Sequence, residues 1–373
     1  MQHFSGLPVY KDQLMFMRSK TENEFWSALL EKAYAKLFGS YEALKGGTTC
    51  EGLEDFTGGI TEFLKSNDTD DLLNILMKAF QRKSMMGCSI EPDKDIVEAK
   101  TPEGLIRGHA YSITKISMVN IVTPNRSGEI PLVRLRNPWG NEVEWKGPWS
   151  DNSREWQFIP EEFKKKIDLS FDNDGEFWMS FQDFQKNFNC IELCNLSPDS
   201  LIEEKDKWNL TVFEGQWVAG VSSGGCRNYL ETFYQNPQYV ITLDKPDEDD
   251  KDGKCSVVIA LMQKNRRKRH LENLTIGFAV YHLMDQDLAI KPQPFDFFKF
   301  NSMIGKSSSY INLREVSGRF RFFPGSYLIV PSTYKPTGEG EFLIRVFSES
   351  NHTFTENDRI VAIGEVESKV SNL

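Results

Sequence analysis

The chain has no apolar run approaching the roughly 18 residues that a membrane-spanning helix needs, and its first stretch lacks the charged-then-apolar pattern of a secretory signal. Both absences predict a cytoplasmic protein without a transmembrane segment. Cysteine is sparse: Cys50, Cys88, Cys190, Cys194, Cys226 and Cys255 include no CxxC pair, which argues against a zinc site and a dense disulfide framework. Reduced thiols are expected. Positive charge is in deficit, with a formal net charge of -10, which argues against nucleic acid as a partner and is compatible with cation binding. Asn-x-Ser/Thr triplets such as Asn67-Asp68-Thr69 carry no weight without an export signal. What is present is a globular composition, 39% hydrophobic and 26% charged, and 373 residues, enough for two domains of ordinary size.

Two motifs stand out, Gly108-His109-Ala110-Tyr111 and Arg136-Asn137-Pro138-Trp139-Gly140. Residues 109–116 and 132–137 alternate around Tyr111 and Ile113 and around Val133 and Leu135, the period of half-buried strands. Setting His109 opposite Asn137 centres a hairpin on Thr123-Pro124-Asn125, which has turn chemistry. Cross-strand partners share a face, so the Asn137 amide can hold the His109 imidazole. A thiol nucleophile needs such a base and such an orienter. The same residues also fit a structural strand histidine and an Asn-Pro turn.

Helical signals dominate the start. Thr21-Glu22-Asn23-Glu24 reads as a capping box, followed at helical spacing by Phe25, Trp26, Leu29, Leu30, Ala33 and Leu37, a packed amphipathic helix. A second helix begins near Asp68 and carries Leu72, Ile75, Leu76, Ala79 and Phe80 on one stripe. Pro160-Glu161-Glu162-Phe163 opens a third, and Ser180 to Phe188 forms a fourth with Phe181, Phe184 and Phe188 inward. The first half is α+β. From about Leu196 short β-rich runs follow, among them 239–243, 256–261 and 342–346, which predicts a β-sandwich. An acidic loop (Asp247, Glu248, Asp249, Asp250, Asp252) and a basic one (Lys264, Arg266, Arg267, Lys268, Arg269) flank one of these strands. They read either as solvated hairpin tips or as a charged surface answering to calcium or anionic phospholipid.

The stretch Asn23-Glu24-Phe25-Trp26-Ser27-Ala28-Leu29-Leu30-Glu31-Lys32-Ala33-Tyr34-Ala35-Lys36 closely resembles calpains, the calcium-dependent intracellular cysteine proteases. Glu54-Asp55-Phe56-Thr57-Gly58-Gly59, the His109 and Asn137 motifs, Asp174-Gly175-Glu176-Phe177-Trp178-Met179 and Cys226-Arg227-Asn228 are similar to calpain segments too, and the likeness runs from about Leu7 to Ser348. It implies an α+β papain-like protease half-domain (antiparallel sheet plus helices) over 1–196, an all-β sandwich over 197–348 and a tail over 349–373. The implied roles are His109 as base, Asn137 as orienter and Trp139 as a gating ring that wedges between protease halves until calcium rearranges the loops. Calpains carry their nucleophile in Gly-Asp-Cys-Trp, yet no cysteine here precedes Trp, and Leu7 to Ser19 resembles the stretch after that half has ended. Cys88 matches a structural position. The expectation is a truncated chain that lacks the nucleophile half and the EF-hand domain and is inactive alone.

Asp172-Asn173-Asp174-Gly175-Glu176 looks like part of an EF-hand loop, but with Gly175 at the sixth position Ser170 would be first and Phe181 twelfth, and neither supplies a carboxylate. By resemblance, a non-EF calcium site instead takes Glu144, Asp151, Asp174 and Glu176 with the backbone carbonyl of Asp172. The alternative is a solvated acidic turn. Three functional readings stay open: a truncated calcium-dependent endopeptidase of protein substrates; a non-catalytic, calcium- or phospholipid-responsive regulator that competes for the partners of intact calpains; and a half-enzyme completed in trans by a nucleophile half docking on an exposed apolar face of 1–196.

Overall fold

A computed structural model of the chain describes residues 6–19, 21, 23–67, 69, 71–96, 98–123, 126–140, 143–172, 174–196, 208–248 and 250–358. Glu22, Asp68, Pro124, Asn125, Asn173, Asp249, the expected boundary after residue 196, the first five residues and the tail beyond Asp358 lie outside the described residues. The chain divides into two compact units, 1–52 and 53–373.

In the first unit, strands β1 (Val9–Tyr10) and β2 (Gln13–Leu14) form a short hairpin, and helix α1 spans Trp26–Phe38. The expected capping box does not form: the helix starts at Trp26 with Phe25 as its N-cap, whose ring offers no acceptor, and Glu24 lies before the helix, where its Oε2 accepts from Ser19 Oγ at 2.6 Å. That bond occupies the carboxylate a capping box would use. The expectation of a packed apolar stripe is also corrected. Ser27, Ala28 and Ala35 are the buried residues of α1, whereas Trp26 is 64% and Leu29 53% exposed, with Leu30 and Leu37 exposed as well. Helix α2 spans Thr49–Thr57, where the division between the units falls.

The second unit opens with β3 (Ile60–Lys65), α3 (Leu72–Gln81), β4 (Met85–Ser89), β5 (Ala110–Thr123), β6 (Arg126–Arg136), α4 (Glu161–Lys166), β7 (Glu176–Ser180), α5 (Phe181–Asn187) and β8 (Cys190–Asn195). Its strands build a six-stranded antiparallel sheet in the order β3-β8-β4-β5-β6-β7. Helix α3 buries Leu72, Leu76 and Ala79 as its spacing predicts, and α5 starts at Ser180, whose hydroxyl accepts the Asp183 N–H. Phe184 and Phe188 are fully buried in one apolar cluster with Tyr111, Leu135 and Phe177, each such side chain contributing about 1.5–3 kcal/mol of transfer free energy.

The hairpin of β5 and β6 is longer than the sequence reading, and its register differs. Thr123 faces Arg126, and beyond an irregularity between Ile113 and Lys115 the pair is Ser112 with Arg136. His109 and Asn137 therefore both lie just outside the ladder. Extending the pairing sets Asn137 across from Tyr111, two residues along from His109 and on the same face. A diagonal contact replaces the direct pair.

Strands β9 (Asn209–Trp217), β10 (Tyr239–Leu243), β11 (Cys255–Gln263), β12 (Ile276–Leu283), β13 (Gly305–Lys306), β14 (Glu315–Phe322), β15 (Gly325–Thr333), β16 (Gly340–Ser348) and β17 (His352–Glu356) form the remaining two sheets, ordered β13-β12-β15-β10-β17 and β14-β11-β16-β9. Their inward faces share a cluster that includes Trp217, Ile241, Ile259, Phe278 and Ile344, the core of a sandwich. The charged loops flank β11 as expected, but their charges are committed locally. Arg266 donates to the carbonyls of Glu272 and Glu339, Arg269 pairs with Glu341, and Asp250 pairs with Arg321.

The sandwich is joined to β3 and the end of α2 by an apolar patch rimmed with buried ions. Ile60 packs with Trp208, Val258, Ala260 and Phe347. Around them Arg319 grips Glu62 through two bonds of 2.9 and 2.8 Å, Arg314 reaches Glu54 and Asp55, and Arg82 and Arg319 lie over the two-ring system of Trp208 at 4.4 and 5.4 Å. Arg345 donates to the carbonyls of Gly58 (2.7 Å) and Gly59 (3.1 Å) and pairs with Glu315. Burial pushes the Glu315 carboxyl up and the Arg345 guanidinium opposes it. Removing one partner of such a pair strands the other, at a cost of about 3–5 kcal/mol. Arg345→Met is thus expected to lower the urea midpoint strongly and Arg345→Met with Glu315→Leu to recover most of the loss. Equal midpoints for wild type and Arg345→Met would contradict this account.

Candidate active site

Asn137 is fully buried, and every polar atom of its amide is engaged. Its Oδ1 lies 2.9 Å from His109 Nε2 and accepts the Trp139 N–H at 3.1 Å, while its Nδ2 donates to the Val143 carbonyl at 3.1 Å. The Val143 contact takes the amino group, so the carbonyl end faces the imidazole and Nε2 carries the proton between them. The Asn-Pro sequence supplies the local geometry. Pro138 sits at the second position of a turn closed by Gly140 N–H donating to the Asn137 carbonyl at 3.0 Å. His109 is 9% exposed. The Trp139 ring lies against it with centroids 4.4 Å apart, and Tyr111 meets its edge at 5.2 Å. The Tyr111 hydroxyl accepts the Ile106 N–H at 2.9 Å, and burial pushes its pKa up to about 12, so it is a neutral wall. The structure brings His109, Asn137 and Trp139 together.

Cys88 stands opposite Tyr111 on β4, but it is wholly buried and desolvation raises its thiol well above the ordinary value. It makes no hydrogen bond to His109. A buried thiol in apolar surroundings is a poor nucleophile, which agrees with its structural reading.

The acidic residues lie on two loops that meet at Gly175. Glu144 Oε1 accepts the Gly175 N–H at 2.9 Å, Asp174 Oδ1 accepts the Glu176 N–H at 2.9 Å, and the Asp172 carbonyl accepts the Asp174 N–H at 2.8 Å. Indole N–H groups fix the first loop, Trp145 donating to the Pro148 carbonyl at 2.8 Å and Trp156 to that of Ser150 at 3.0 Å. Asp151 rises to about 7, first through burial and then through the negative fields of Glu144, Asp174 and Asp172. That crowding of oxygen anions is what a hard cation relieves. Glu176 has Arg134 at 3.6 Å. Among the described residues, no three His, Cys, Asp or Glu side chains are gathered closely enough to hold a metal as they stand; the oxygen donors themselves are of the kind a hard cation such as calcium takes.

Sequence reasoning missed the residue that links the two halves of the site. The Gly175 carbonyl accepts the Asn137 N–H at 2.9 Å, so the acidic loop and the imidazole orienter share one residue. Gly175 has φ +87, and a Cβ there would lie 2.7 Å from the Asn137 carbonyl oxygen. A glycine inside an acidic run was the available signal. Glu98 was also missed: its Oε1 lies 3.4 Å from His109 Nδ1, and only the fold brings the two together.

Residues 5–195 match the family described as calpain family cysteine protease, and residues 213–347 match calpain large subunit, domain III. Calpain-B of Drosophila melanogaster is 58% identical over 374 residues, covering 98% of this chain and 40% of that protein. Calpain-A of the same organism is 60% identical over 367 residues, covering 96% and 44%. Human Calpain-9 is 48% identical over 364 residues, covering 96% and 51%. The chain thus spans about half the length, or less, of these relatives. No helix among the described residues is long and apolar enough to cross a membrane. With a family match over more than half of its length and relatives of this identity, the chain belongs to the calpain family of cysteine proteases.

Proposed function

We propose that these residues supply the proton-handling half of a calcium-dependent, cytoplasmic cysteine endopeptidase that cuts protein substrates. In this reading 1–196 is the second half of a papain-like protease core, 197–348 the sandwich domain after it and 349–373 a tail. The 2.9 Å contact between His109 and a fully satisfied, buried Asn137 is the observation that carries it. With Nε2 committed to Asn137, Nδ1 is the nitrogen left to exchange a proton with a nucleophile. His109 would take the proton of an attacking thiol as the acyl-enzyme forms and return it to the leaving amine, while Asn137 keeps the ring in one tautomer and orientation. The sulfur must come from residues outside this sequence, in the same polypeptide or in a second one, because no cysteine here stands in a Cys-Trp motif.

Calcium would be held by Glu144, Asp151, Asp174 and Glu176 with the Asp172 carbonyl, and would supply the positive charge that lets these carboxylates approach. Gly175, bonded both to Glu144 and to Asn137, would couple that acidic cluster to the turn that carries Trp139. Trp139, lying against the imidazole, is the gating ring of this arrangement. The phospholipid-responsive reading is the weaker one, since Arg266, Arg267 and Arg269 of the basic loop already have internal partners.

The purified chain with calcium is expected to release no fluorescence from a calpain peptide substrate, and mixing with a separately produced Gly-Asp-Cys-Trp half is expected to restore turnover. His109→Ala should lower that restored rate by about 10²–10⁴-fold. Turnover by the chain alone, or no restoration at any calcium level, would overturn the proposal. In titration calorimetry the full chain should bind calcium, and Asp151→Asn with Asp174→Asn should weaken binding by about tenfold or more. A wild-type chain giving no heat would remove calcium from the account.

A further inference from the structure

Two tight turns in succession carry Asp151. Ser150 N–H donates to the Gly147 carbonyl at 3.2 Å, and Ser153 N–H to that of Ser150 at 3.1 Å. Each turn has a positive φ at its third residue, +68 at Trp149 and +57 at Asn152. With Pro148 at the second position, the first has the type II pattern, whose third position calls for glycine or asparagine. Asn152 meets that demand and Trp149 does not. A bulky side chain in the left-handed region is strained, and it stays there only where the surrounding structure holds it. Among the described residues, Trp149 is also the one buried non-glycine residue with a positive φ, at 5% exposure.

The groups that hold it are aromatic. The Trp149 ring meets that of Trp156 edge-on, with centroids 5.1 Å apart, in the cluster that includes Ile159, Ile167 and Trp178. The carbonyls of the residues on either side of Trp149 are taken by indoles, that of Pro148 by Trp145 Nε1 and that of Ser150 by Trp156 Nε1. The Trp145 ring lies so close over Gly147 that a Cβ there would run into it. The same packing reaches the second acidic loop, since Trp156 lies 6.2 Å from Phe171 and 6.3 Å from Trp178. Glu144, Asp151, Asp172 and Glu176 thus each stand within two residues of one of these rings. Carboxylates gathered in one place repel one another, so a turn that carries one of them keeps its position only when something else fixes it.

We propose that Trp149 is a positioning residue of the cation site: its buried ring fixes the strained turn and so sets where Asp151 stands relative to Glu144, Asp174 and Glu176. The inference rests on the calcium reading given above. Its physical basis is preorganisation. A turn that had to find its conformation on binding would lose affinity to that ordering, whereas here the aromatic cluster fixes the left-handed residue as the chain folds. Ring and backbone make opposite demands at this position. Glycine would suit the turn and lose the anchor, so a glycine variant separates the two.

The test is titration calorimetry of the full chain with calcium chloride, alongside urea unfolding of each variant without calcium. Trp149→Gly is expected to weaken calcium binding by about tenfold or more, the loss typical when a group that orients metal ligands is removed, although it relieves the turn. Trp149→Phe, which keeps a ring, is expected to fall between it and the wild type. Trp156→Phe keeps its ring and loses only the bond to the Ser150 carbonyl, and it too should bind more weakly. Ile167→Ala, in the same cluster but outside both acidic loops, is expected to lower the urea midpoint and leave calcium affinity unchanged, which separates positioning from stability. Wild-type affinity in a folded Trp149→Gly overturns the proposal, as does wild-type affinity in Trp156→Phe should Trp149→Gly not fold, or an equal loss in Ile167→Ala. A wild-type chain that gives no heat removes the calcium reading and this inference with it, whereas unchanged variants of a chain that binds remove this inference alone.

Discussion

The site depends on the burial of one side-chain amide with no polar atom left over. Asn137 gives its carbonyl to His109 and to the Trp139 N–H, and its amino group to Val143. An unsatisfied buried amide would cost roughly 1–3 kcal/mol, so flipping or withdrawing this group is resisted from each side. The consequence is chemical as well as structural, because a fixed acceptor at Nε2 places the hydrogen there and leaves Nδ1 outside that bond. Fold and reactivity meet in one residue whose neighbours lie on the 137–140 turn, the segment after it and the start of β5.

The constraint extends outward through Gly175. Only a residue without Cβ can take φ +87 there and lie so close to the Asn137 carbonyl. Through it the acidic loop, where like charges crowd Asp151, is bonded to the orienter of the imidazole. A ligand that relieved the crowding would have a direct mechanical route to the site, which is the kind of differential contact a population shift requires. At the other end of the sheet, β3 is fixed to the sandwich by ion pairs around an apolar patch, so the sheet carrying the site is packed against a second body of β structure.

Much of this was legible in the sequence, for identifiable reasons. Strand alternation around Tyr111 and Val133 gave the hairpin, because a half-buried strand must alternate. The stripe of α3 and the Ser180 start of α5 were readable from local chemistry. The register was not, since an irregularity near Thr114 moves the pairing, and nothing in the residues marks it. Helix α1 was misread because periodicity reports that an apolar stripe exists and not whether anything covers it; Trp26 and Leu29 are exposed. The His109, Asn137 and Trp139 constellation came from motifs, while the link from Gly175 to Asn137 is a backbone hydrogen bond and the approach of Glu98 to His109 a side-chain contact, both of which only the fold creates.

The central claim is that His109 and Asn137 act as one device. A double-mutant cycle on the activity of this chain combined with a Cys-bearing half tests it most directly. The account predicts that Asn137→Ala lowers kcat when His109 is present and adds no further loss when His109 is already alanine. Losses that simply multiply, with Asn137→Ala equally damaging in both backgrounds, would contradict it.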